Sequence, residues 1–151
     1  MQCGVGGSPL AEVGGYGSEP MTKQFKTAQE ACDYSVQQIV KQGGRCYDVV
    51  DGVCMYGDGH GNHCAIGWLL DPNNNDLMSY AGSFDDLPSS YPDEVPVIIH
   101  NNRDLFTELQ RFHDEPRSQR REILRDVLRV AHNIDTSGDH WQQWVDMGKR
   151  L

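Results

Sequence analysis

The chain has 151 residues, a formal net charge of −9 and 38% hydrophobic residues. That length suits one domain burying roughly 70% of its unfolded surface, so neither disulfides nor a metal is required for folding. Five cysteines without a CxxC pair do not make the even, dense set of a secreted disulfide scaffold, and no apolar run approaches the ~18–20 residues that span a bilayer. With no basic start leading into an apolar core, the reading is a cytoplasmic protein with reduced thiols.

Residues 1–22 hold six glycines and two prolines and almost no large apolar side chain, which predicts a flexible Gly-rich tail ahead of a single domain over 23–151. Thr27 with Glu30 three residues on forms a capping box, and Ala28, Cys32, Val36, Ile39 and Val40 give one apolar helix face that Gly43-Gly44 terminates. Cys32 is therefore read as a core residue. Between Cys46 and His63, short β-type runs broken by Asp51-Gly52 and Asp58-Gly59 predict a hairpin with its tip near 58–61. The run Cys64-Ala65-Ile66-Gly67-Trp68-Leu69-Leu70 fits a buried strand or a short helix, and the helix, with Asn62 or His63 near its cap, is the favoured reading. Residues 71–101, with four prolines, read as a long loop.

Three helices are expected to finish the chain. Asn102 caps the first, with Leu105, Phe106, Leu109 and Phe112 as its core stripe. Pro116 opens the second, whose apolar residues are Ile123, Leu124, Val127, Leu128 and Ala131. Thr136 with Asp139 caps the third, which buries Trp141, Trp144 and Val145. The fold class expected is α+β, mostly helical with about four helices and one β-hairpin.

Charge is unevenly placed. No Lys or Arg occurs between Arg45 and Arg103, while nine acids do, and the rest of the chain holds equal numbers of acids and bases. An acidic surface disfavours nucleic acid and favours a basic protein partner, with Asp85, Asp86, Asp93 and Glu94 as candidate contacts. The ladder Arg117, Arg121, Arg125 and Arg129, with Arg120 beside it, is the one candidate for phosphate or nucleic acid, and Glu122 and Asp126 make it read instead as a solvated, ion-paired face.

Chemistry-bearing residues concentrate between Cys54 and Leu70. Cys54, His60, His63 and Cys64 offer thiolate and imidazole ligands of the kind zinc favours, although their spacing departs from the paired-ligand modules. Cys64 at a helix start, with His113 as base and Asp114 as orienting carboxylate, is a candidate thiol nucleophile, although neighbours on one helix are poorly placed to face each other. Asp71-Pro72-Asn73-Asn74-Asn75-Asp76 echoes a calcium loop but lacks its glycine and its closing glutamate, so a polar turn is expected.

Cys54, Tyr56, Gly61, then Cys64, Ala65, Gly67 and Leu69, then Gly82-Ser83, then Leu109, Gln110, His113 and Asp114 form a pattern spanning roughly 28–146. In it the chain resembles a group of small proteins of tailed bacteriophages and prophages, with Ala81 standing where that group carries Glu. The resemblance implies a phage setting and links Cys54, Cys64 and His113-Asp114 into one constellation. It implies no mechanism. The leading expectation is stoichiometric binding to a host protein, as an inhibitor or host-takeover factor. A Cys64/His113 hydrolase or transferase and a zinc-stabilised structural module are the alternatives.

Overall fold

A computed structural model describes residues 25–44, 56–57, 61–80 and 84–147. Among them the fold is all-α: α1 (Ala28–Gln42), α2 (Asn75–Met78), α3 (Leu87–Ser90), α4 (Val97–His100), α5 (Arg103–Asp114), α6 (Ser118–His132) and α7 (Asp139–Met147). No described residue is in a strand, which corrects the α+β expectation. Most of the expected hairpin, 45–55 and 58–60, lies outside the described residues, as does the 1–22 tail. The part that is described runs otherwise: the Gly57 N–H donates to the Met78 carbonyl at 3.2 Å, tying this stretch to the end of α2. Asp-Gly pairs mark turns, and a turn does not require a hairpin.

α1 forms as its sequence dictates. The Thr27 hydroxyl accepts from Glu30 N, the Glu30 carboxylate accepts from Lys26 N, and Gly43 takes the left-handed φ of 91° that a side chain resists. Its buried face of Ala31, Cys32, Ser35, Val36 and Ile39 packs against α7. α7 in turn packs on α6, and α6 on α5. α5 buries Leu105, Phe106, Leu109 and Phe112 as expected, each side chain contributing roughly 1.5–3 kcal/mol. α7 contributes Trp141, Trp144 and Val145.

Asp33 fastens α1 to α7. Its Oδ1 accepts from Trp141 Nε1 at 2.9 Å and from His140 Nε2 at 2.8 Å, and its Oδ2 accepts from Gln29 Nε2. Gln29 also exchanges two hydrogen bonds with the backbone of Asp135.

α6 is rotated relative to its apolar residues. It buries Ser118, Arg121 and Leu128, while Ile123 and Ala131 face solvent. The cause is Arg121, which lies 3.6 Å from the Trp144 ring and donates to the carbonyls of Glu115 and Trp144. A stacked, hydrogen-bonded guanidinium takes the place of an aliphatic side chain.

Residues 71–101 are not an open loop. α2, a 3-10 turn at Phe84–Asp86, α3 and α4 follow one another, anchored by Leu77, Met78, Leu87, Val95 and Ile99. Asn74 caps α2 through Leu77 N, and Asp71 accepts from Asn73 N, so the calcium-like sequence serves as a polar turn.

Candidate functional site

The segment after Asn62 is a single turn followed by a 3-10 helix over Gly67–Leu69, shorter than the expected α-helix. Cys64, Ala65, Ile66, Leu69 and Leu70 are at most 1% exposed. Four polar side chains hold it. Gln42, at the end of α1, accepts from His63 N and Trp68 Nε1 and donates to the carbonyls of His63 and Gly44, which uses its full amide capacity. Ser35 donates to the Ala65 carbonyl. Gln110 of α5 accepts from Ile66 N and donates to Asp114. The Cys64 sulfur accepts the Gly67 N–H at 3.3 Å, capping the turn from inside.

Tyr56 is bound into the same cluster. Its carbonyl accepts from His63 Nδ1 at 2.9 Å, which places the proton on that nitrogen. The same carbonyl stands where a Cβ at Gly67 would collide with it, so only glycine lets the two backbones approach. The spacing between Tyr56 and Gly67 thus has a mechanical reason. Burial pushes the Tyr56 hydroxyl well above its ordinary value, and charge on Cys64, Tyr80 and Asp114 acts in the same direction. The rings of Tyr56, Tyr80 and Tyr91 follow at 5.9 and 5.8 Å toward residues 84–101.

His113 and Asp114 do meet, against the expectation for helix neighbours: Nδ1 donates to Oδ1 at 2.7 Å. His113 stacks on Trp144 at 6.2 Å and is fully buried, whereas the Asp114 side chain is 40% exposed. Gln110 links Asp114 to the backbone of Ile66, two residues after Cys64, and the Cys64 sulfur and His113 imidazole are both buried. A nucleophile must touch its substrate, and here neither the sulfur nor the ring reaches solvent.

Of the zinc candidates, Cys54 and His60 lie outside the described residues. His63 packs edge-on against Trp68 at 4.6 Å while holding the Tyr56 carbonyl. Among the described residues no group of three or more His, Cys, Asp or Glu side chains is placed to hold a metal ion.

The arginine ladder is broken by its own geometry. Four-residue steps advance about 40° around a helix, so one ladder crosses from surface to core. Arg121 is buried, Arg117 and Arg120 converge on Glu115, and Arg129 pairs with Asp126. The Arg117 hydrogen bond, with its charge and that of Arg120, holds the Glu115 carboxyl below its usual range. A groove of about 460 Å³ opens where α6 ends, lined by Arg125, Asp126, Arg129, Asn133, Asp135 and Thr136, with acids and bases in balance.

The acidic candidates sit differently. Asp76, Asp86 and Asp93 are exposed and Glu94 is half-exposed, while nothing is described of the Asp85 side chain. Among the described residues, the ion pairs lie at His140–Asp33 and along 108–129, and none reaches Asp71, Asp76, Asp86, Asp93 or Glu94.

Gln42, Gln110, Ser35 and Arg121 hold these side chains in place; the sequence offered Gln110 only through the family resemblance and Arg121 only as part of the ladder, and gave no signal for Gln42 or Ser35. Among the described residues, no helix is long and apolar enough to cross a membrane. Comparison with protein-family models, with curated proteins and with solved structures gave no match to the chain.

Proposed function

We propose that this is a phage-encoded binding protein that presents residues 71–101 to a basic protein of its bacterial host and acts by stoichiometric occupancy. The observation that carries this reading is the row of exposed carboxylates without ion pairs, Asp76 on α2, Asp86 in the 3-10 turn before α3 and Asp93 in the turn after it, with no Lys or Arg between Arg45 and Arg103. Complementary charge raises association rates and selects partners more than it adds affinity, so a basic surface is the chemistry this face suits. The full chain, used as bait in a host lysate, should retain one basic protein at a one-to-one ratio. Asp86→Lys, Asp93→Lys and Glu94→Lys together should release it without altering the helical circular dichroism spectrum. Retention unchanged by those three reversals would refute the reading.

A thiol enzyme using Cys64, His113 and Asp114 is the second reading, favoured by the 2.7 Å His113–Asp114 bond. It requires a motion that opens the cluster, and Cys64→Ser would then abolish activity in a protein that still folds.

A further inference from the structure

The outward face of α6 carries large apolar side chains that the fold does not bury, flanked by charges whose ion pairs lie within the helix, Glu122 with Arg125 and Asp126 with Arg129. Val97, Ile123 and Val130 are the exposed large hydrophobics among the described residues, at 66, 60 and 72%, and two of the three lie on this helix. Single exposed hydrophobics need no explanation. Ile123 and Val130, however, are two turns apart on the side opposite Arg121 and Leu128, with half-buried Val127 between them. Charges repeat at the same spacing: Glu122 immediately precedes Ile123, and Arg129 immediately precedes Val130.

This arrangement complements itself when reversed. A two-fold axis perpendicular to α6, passing beside Asp126 and Val127, sets Ile123 over Val130 of a second copy and Val130 over its Ile123. Glu122 then comes within about a turn of the second copy's Arg129, and the reciprocal pair repeats on the other side of the axis. Asp126 lies near the axis, where its own Arg129 at 3.5 Å offsets its charge. Isologous contacts require each group to meet its complement under the two-fold operator, and an unrelated partner would impose no such equal spacing of acid and base.

We infer that the protein forms a homodimer through the outward face of α6, packed antiparallel on the same helix of a second copy. One 15-residue helix is roughly 22 Å long, and its single face lies below the roughly 800 Å² per partner of a standard interface, so the dimer is weak and concentration-dependent.

Sedimentation velocity on the full chain tests this. The weight-average mass should rise from 17.0 kDa toward twice that value with concentration. Ile123→Asp with Val130→Asp should hold it at the monomer mass throughout, with an unchanged thermal melt because both side chains face solvent. Glu122→Arg should raise the dissociation constant about tenfold, and adding Arg129→Glu to it should restore the original value. A monomer at every concentration overturns the inference, whether another stretch of the chain or a different protein covers that face. Association untouched by Ile123→Asp and Val130→Asp overturns it too, and failure of the double charge swap to rescue overturns the antiparallel pairing.

Discussion

Two consecutive stretches of this chain, 64–70 and 71–101, differ in what they hold and in what they show. The first holds one group that could do chemistry, Cys64, yet that thiol is 1% exposed and the segment's polar atoms are spent on Gln42, Ser35 and Gln110. The second has modest chemistry, and among its described carboxylates Asp76, Asp86 and Asp93 stand in solvent without ion pairs. Reactive residue types therefore do not mark the working surface here. Buried polar groups are costly unless satisfied, so a satisfied cluster of this kind fixes one arrangement of the core. Charges left without partners impose no such requirement and remain available to a second molecule.

The sharpest way to break that contrast is at Gly67. An added methyl meets the Tyr56 carbonyl, so Gly67→Ala should cost roughly 3 kcal/mol or more in urea unfolding; a near-neutral result would remove the cluster from its central place. Gln42→Ala should cost about 2 kcal/mol, because the His63 and Trp68 donors lose their acceptor.

High pH offers a third test. Burial raises the Cys32 thiol, with Asp33 adding to the effect, and raises the Tyr56 hydroxyl, from ordinary values of 9.0 and 10.0. Both groups are neutral when protonated, so the folded state holds these protons more tightly than the unfolded state. Stability should be flat below pH 9, then fall as the unfolded thiol ionises, and fall more steeply above pH 10. Each group contributes about 1.4 kcal/mol per pH unit, and an unchanged urea midpoint between pH 9 and 10.5 would contradict the burial of Cys32. At the small end, Asp86→Lys and Asp93→Lys should each shift stability by no more than about 0.5 kcal/mol, since neither carboxylate has an ion-pair partner to lose. A larger loss in a thermal melt would make residues 71–101 part of the scaffold.

Helices with an apolar stripe and a distinct cap were legible in the sequence. Thr27, Glu30 and Gly43 bound α1 as read, and Leu105, Phe106, Leu109 and Phe112 of α5 face the core. α6 was misread because apolar periodicity carries no information about Arg121, whose burial depends on Trp144 more than twenty residues away. The α+β expectation rests on Asp-Gly pairs that lie outside the described residues; no described residue is in a strand, and Gly57 bonds the end of α2. Prolines at 72, 88, 92 and 96 suggested a loop, and they sit between or at the starts of short helical turns. His113 and Asp114 were readable as candidates from the sequence, and they bond each other directly. Gln42 and Ser35, which hold the segment around Cys64, were not, because they reach it only through the folded chain.

The contrast between a sealed cluster and an open acidic face is tested most directly by site-resolved alkylation of Cys64 in the native protein at neutral pH, read by peptide mass spectrometry. Burial predicts labelling only as fast as the chain opens, with a urea dependence that follows unfolding. Labelling without denaturant at the rate of an unstructured cysteine peptide would contradict it.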